Sequence, residues 1–132
     1  IRYRTGDMGI LGTERCPCGR GLPVLQDVFG RVTDFVRTAA GSAMHALALI
    51  YEVRDQPGVR AFKFIQEADL SLELLVVAGL ELTTDVESTI RRGILARMGE
   101  DSALVIRRVA EIPPEKSGKY RYVVSRAPAV AP

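Results

Sequence analysis

The sequence predicts an α+β fold: a small split βαβ domain in the order strand, helix, strand, strand, helix, strand, with both helices on one face of an antiparallel sheet. Three observations carry this reading. Residues 59–67 and 70–78 are two apolar runs joined tightly through Ala68 and Asp69. Two sets of residues at helical spacing flank that hairpin: Met44, Leu47, Ala48 and Tyr51 before it, and Val86, Ile90, Ile94 and Met98 after it. The 132 residues, 47% hydrophobic and 26% charged, suffice for one compact core of this kind.

Taken in order, residues 1–30 differ from the rest. Gly6, Gly9, Gly12, Gly19, Gly21 and Gly30, with Pro17 and Pro23, punctuate them, and no amphipathic period is sustained. Glycine and proline at this density mean turns and short strands that need another surface to lean on. The expected organisation is therefore a loop-rich remnant of a larger domain (1–33), a compact C-terminal domain (34–126) and a frayed tail (127–132). The opening Ile-Arg-Tyr-Arg is read the same way, as part of a longer protein.

Residues 28–36 alternate β-formers and are expected to form a strand leading into the compact unit. The first helix should stop near Asp55, where Pro57 and Gly58 break it. Thr83 or Thr84 is placed to cap the second helix. Residues 102–110, rich in β-branched side chains, read as a further strand. Beyond Ala110 a loop containing Pro113 and Pro114 ends in a short strand.

Charge narrows the function classes. Eighteen basic and sixteen acidic residues leave a net charge of +2, so a nucleic-acid partner is not expected. The charges are nevertheless segregated. Glu67, Asp69, Glu73, Glu81, Asp85 and Glu87 fall in a stretch without Lys or Arg, which reads as a solvated surface. Arg107, Arg108, Lys116, Lys119, Arg121 and Arg126 cluster near the end, against Glu111 and Glu115. Such a tail suits an anionic ligand such as a phosphate. No apolar run reaches the roughly 18–20 residues of a membrane span, and no basic-then-apolar leader opens the sequence, so a cytoplasmic protein off the membrane is expected.

Candidate chemistry is sparse. Cys16 and Cys18 lie in Cys-Pro-Cys-Gly, read as an extended stretch in which the side chains diverge and a disulfide would be strained. The pair is at most part of a zinc site, since such a site takes about four ligands; two reduced thiols in a turn are the other reading. His45 stands alone before an apolar helical face and reads as a cap or a structural histidine. No Ser/His/Asp or Cys/His set can be assembled. Three short pieces carry more. Tyr3-Arg4-Thr5-Gly6-Asp7 puts a carboxylate after a glycine turn, suited to accept from a ribose diol. Gly30-Arg31-Val32-Thr33-Asp34 puts a fixed cation and a carboxylate at the junction of the two regions. Ser117-Gly118-Lys119 puts one lysine on a loop.

Together, in this order, these pieces resemble the C-terminal signature of adenylate-forming enzymes, the acyl-CoA synthetase superfamily. The Cys-Pro-Cys-Gly-Arg-Gly-Leu-Pro stretch is similar to the phenylacetate–CoA ligase branch, including its capsular-polysaccharide-type relatives. The resemblance covers roughly residues 1–126. It implies an acid–thiol ligase: a carboxylic acid and ATP give acyl-AMP and pyrophosphate, and coenzyme A then displaces AMP. It further implies that Asp7 holds the ribose hydroxyls, that Arg31 lies near ribose and phosphate, that Asp34 is the hinge, and that Lys119 is the mobile lysine of adenylation. ATP with Mg would serve the whole enzyme, with none bound by this fragment. The partners would be a preceding N-terminal adenylation domain and the acid, with a homodimer left open, and the fragment alone would be inactive. The alternative from another class is a small-molecule-sensing or subunit-pairing split βαβ module without catalysis, which leaves Asp7 and Lys119 unexplained.

Overall fold

The computed structural model describes residues 6–31, 35–115, 118 and 120–128. The chain divides into two compact units, Ile1–Asp34 and Phe35–Pro132.

In the first unit β1 (Asp7–Arg15) and β2 (Pro23–Arg31) form an antiparallel hairpin. Register shifts interrupt the ladder between Met8 and Gly9 and again between Ile10 and Leu11. At Gly9 a Cβ would lie 2.7 Å from the Asp27 carbonyl, so the strands approach more closely there than a side chain allows. No described side chain of this unit is buried. Leu11 (65%), Leu22 (63%), Leu25 (55%) and Val28 (56%) stay largely exposed. A two-stranded ribbon of this kind is marginal by itself in water.

The second unit opens with β3 (Phe35–Arg37) and β4 (Ala43–His45), paired antiparallel with Phe35 opposite His45. The single strand expected over 28–36 is therefore divided. Val28 lies opposite Gly9 in the hairpin, whereas Phe35 and Val36 pair with β4; residues 32–34 lie outside the described residues. Helix α1 (Leu47–Arg54) follows and buries Leu49 and Val53, one turn apart. It ends before Pro57 and Gly58, as expected. Gly58 has φ +75°, and a Cβ there would collide with the backbone of Leu82.

Strands β5 (Val59–Gln66) and β6 (Leu72–Ala78) form the predicted hairpin. Asp69 closes its turn by accepting from the Ser71 amide (3.0 Å) and hydroxyl (2.6 Å). Helix α2 (Thr84–Met98) starts at Thr83, whose hydroxyl accepts from the Val86 amide at 3.4 Å. Asp85 and Glu87 in its first turn and Arg97 in its last complement the helix dipole. Its buried stripe is Ile90, Ile94 and Met98, while Val86, the first position of the stripe read from the sequence, is half-buried. Strand β7 (Leu104–Val109) and the short β8 (Val123–Ser125) complete the unit.

The fold class is α+β, with both helices on one face of the sheet. Leu49, Val53, Ile90, Ile94 and Met98 pack with Phe62, Phe64, Leu72, Leu74 and Val76 in one core. The sheet itself differs from the expected antiparallel one. Its order is β7-β6-β5-β8, and both outer pairings are parallel. The cause is connectivity. Helix α2 is a crossover that returns the chain beside β6, so β7 runs parallel to it. At the other edge β8 pairs with β5, Phe64 lying opposite Val123.

Candidate functional site

The sequence-predicted site residues fall in both units. In the hairpin, Asp7 follows Gly6, whose φ of +79° provides the left-handed turn into β1. The register sets Asp7 directly opposite Arg31 at the open end of the ladder. A carboxylate position and a guanidinium position, read from motifs far apart in sequence, are thus cross-strand neighbours. Asp34 and Lys119 lie outside the described residues, and so does the side chain of Arg31.

The described flanks of position 119 are fastened to β5. On one side Lys63 Nζ meets Glu115 Oε1 at 3.0 Å, and the Gly118 amide donates to the Glu115 carbonyl at 2.8 Å. On the other, the Tyr120 hydroxyl donates to the Phe62 carbonyl at 2.6 Å. The Tyr120 and Tyr122 rings meet edge-on at 4.9 Å, and Tyr122 lies 5.1 Å from Phe62. The Lys63 hydrogen bond, then its charge and that of Arg121, hold the Glu115 carboxyl below its ordinary range. Burial, then the neighbouring Tyr122, push the Tyr120 phenol up, partly opposed by its bond to Phe62. Beside these anchors a groove of about 260 Å³ is lined by Arg54, Arg60, Phe62, Tyr120 and Tyr122, together with Val59 and Ala61.

The cysteines are free thiols in a turn, one of their two readings, but their side chains do not diverge. The segment after β1 is turned, not extended, with the Gly19 amide donating to the Cys16 carbonyl at 3.1 Å. Instead of diverging, the two Sγ atoms converge to 2.8 Å. Their hydrogen bond lowers the pKa of the Cys18 thiol. Among the described residues no group of three or more His, Cys, Asp and Glu is arranged to hold a metal ion. His45 has the capping role: its Nδ1 accepts from the Leu47 amide at 3.2 Å, and its ring meets Phe35 edge-on at 5.2 Å.

Sequence reasoning passed over Gln66, the buried polar residue of the core, whose amide bonds the backbone of Arg37. The available signal was its phase: Phe62, Phe64 and Gln66 alternate along β5, so Gln66 falls on the core face. It also passed over Tyr120 and Tyr122 as anchors of the lysine loop.

Among solved structures the chain is similar to fatty acyl-adenylate ligases from E. coli and L. pneumophila (TM-score 0.54, 20% identity, 89% of this chain and 20% of that one). It is similar also to acetoacetyl-CoA synthetase from Streptomyces lividans (0.51, 19%, 79% and 16%) and to ATP-bound MatB from Rhodopseudomonas palustris (0.50, 23%, 92% and 22%). At these identities the likeness is one of fold. The chain spans between 16% and 22% of the length of these structures. No curated protein matches. No described helix is long and apolar enough to cross a membrane. The CapK C-terminal domain family matches residues 36–126, most of the chain. The chain thus belongs to the CapK C-terminal domain family, and its fold is shared with the adenylate-forming ligases.

Proposed function

We propose that this chain is the C-terminal portion of an ATP-dependent carboxylic acid–CoA ligase of the phenylacetate–CoA ligase-like, capsular-polysaccharide-related kind, working in the cytoplasm. The observation that carries the reading is the register of Asp7 opposite Arg31. An acceptor for a ribose diol and an invariably charged fork for phosphate stand at one end of one hairpin. Residues 1–33 belong with the preceding adenylation domain, residues 34–126 form the mobile domain, and Asp34 is the hinge.

In the first half-reaction a carboxylate oxygen of the acid attacks the α-phosphorus of ATP. The bond to the bridging oxygen breaks, and pyrophosphate leaves. Both reactants are anionic, so the Lys119 ammonium lowers their repulsion and stabilises charge on the α-phosphoryl group. In the second, the thiol of coenzyme A loses its proton, sulfur attacks the acyl carbon, and AMP leaves. Withdrawing Lys119 on a rotating domain frees the site for the thiol. Magnesium accompanies ATP in this reading. The described residues offer no ligand set for it, and no step here is routed through it. Cys16 and Cys18 supply at most two ligands of a zinc site completed by other residues.

The test is ATP–pyrophosphate exchange over a panel of carboxylic acids, using the protein with its preceding domain. Acid-dependent exchange, absent from the isolated 132-residue chain, is expected. Exchange with no acid in a broad panel, or catalysis by the isolated chain, would overturn the reading.

A further inference from the structure

Gln66 is fully buried, yet every hydrogen bond its side chain makes goes to another strand. Its Oε1 accepts from the Arg37 amide (2.9 Å) and from the Ser125 hydroxyl (3.2 Å), and its Nε2 donates to the Arg37 carbonyl (2.7 Å). The two bonds to Arg37 are those a ladder partner would make, supplied here by a side chain. They join β3, which belongs to a separate two-stranded sheet, to the four-stranded one. The backbone carbonyl of Gln66 also accepts from the Arg126 amide at 2.8 Å. One residue of β5 therefore touches the first strand after the unit boundary and the strand that follows the Lys119 loop.

The orientation of the amide is fixed by its neighbours. The Arg37 N–H can only donate, and the Ser125 hydroxyl points its proton the same way. Flipping the amide would set its NH2 against the Arg37 N–H. Other ties of the β3 segment to the domain, the buried Val36 and the Ala39 amide on the Met98 carbonyl, do not reach β8. Left unpaired, these buried groups would lose their hydration without a replacement, so the complete network is favoured over a partial one.

We propose that Gln66 is a positioning residue: it locks β3 to β8, so that the first strand after the unit boundary shares with β5 in fixing the strand that follows the lysine loop. The link from loop position to catalysis rests on the ligase reading; the lock itself does not.

Amide hydrogen exchange on the 132-residue chain tests the lock. Gln66→Met, similar in length and without the amide, should speed exchange at Arg37 by about tenfold, the equivalent of roughly one lost buried hydrogen bond. Exchange at Phe64 and Leu74 should stay within the global stability change. Ser125→Ala is the sharper arm, because it removes one part-buried hydroxyl and leaves every apolar core side chain intact. It should speed Arg37 exchange severalfold although Ser125 does not touch Arg37. Unchanged Arg37 exchange in Ser125→Ala would overturn the lock and leave Gln66 a structural filler. In the protein with its preceding domain, Ser125→Ala should also lower acyl-adenylate formation about threefold relative to thioester formation. A preserved ratio, with the exchange result intact, would overturn the link to catalysis and not the lock.

Discussion

The two units of this chain solve opposite problems. Residues 35–128 enclose a core in which Leu49, Val53, Phe64, Leu74 and Ile94 are all fully buried. The hairpin of residues 6–31 is as apolar in places, with Leu11, Leu22, Leu25 and Val28, yet buries none of its described side chains. A body with a sealed core can travel as a rigid piece, whereas a ribbon without one takes its order from whatever covers it. The contrast teaches how a divided active site can be built. In the proposed ligase, Asp7 and Arg31 ride on the ribbon, anchored to a preceding domain, and Lys119 rides on the piece that moves.

The contrast can be broken first by stability. Ile94→Ala should cost about 2–5 kcal/mol, since it opens a cavity in a fully buried site. Leu25→Ser on the ribbon should change the stability of the isolated chain by about 0.5 kcal/mol or less. Urea unfolding of both variants checks this, and comparable losses would mean that the ribbon packs on the core. Next in size, Asp7→Ala in the protein with its preceding domain should raise KM for ATP by about tenfold or more, as hydrogen bonds to a charged group are worth about 1.5–3 kcal/mol. A normal KM would detach the ribbon from nucleotide binding. Asp34→Pro, which fixes φ at the boundary, should make the two half-reactions respond unequally by severalfold while melting stays nearly unchanged.

The smallest effect concerns the loop flanks. The Glu115 carboxyl sits below its ordinary value of 4.5 through Lys63, so the pair is fully made above that pH and is lost as pH falls through the lowered value. The Tyr120 phenol is raised above 10.0, chiefly by burial, so its contribution is present below that pH and is lost as pH rises through the raised value. The loop is therefore fastened across neutral pH and loosens at both extremes. Tyr120 ring resonances followed against pH should report both transitions, and Lys63→Ala should remove the acid one alone.

Much of the second unit was legible because its signals are long. Helix α2 carries its cap at Thr83, its acidic first turn and four turns of apolar stripe, and the β5–β6 hairpin has two full strands around Asp69. The parallel edge was not legible. Strand β8 has three residues, too few for a period, and its partner on β5 lies far back in the chain. The Cys16–Cys18 convergence was missed because it depends on a turn closed by Gly19 at φ +76°. Gln66 was passed over because one polar residue on the core face of a strand gives no hint of a partner 29 residues away. For the candidate site, motif order supplied the residues, but only the hairpin register brought Asp7 and Arg31 together. Asp34 and Lys119 rest on the motifs alone.

The central claim is that a lysine on the self-sufficient unit serves one half-reaction and leaves for the other. Its most direct test is Lys119→Ala in the protein with its preceding domain, with the half-reactions measured separately. Acyl-adenylate formation, followed by pyrophosphate exchange, should fall by about 10²–10³-fold, the loss of one preorganised transition-state donor. Thioester formation from supplied acyl-adenylate and coenzyme A should remain close to that of the unaltered protein. Equal losses in both steps, or none in the first, would contradict the account.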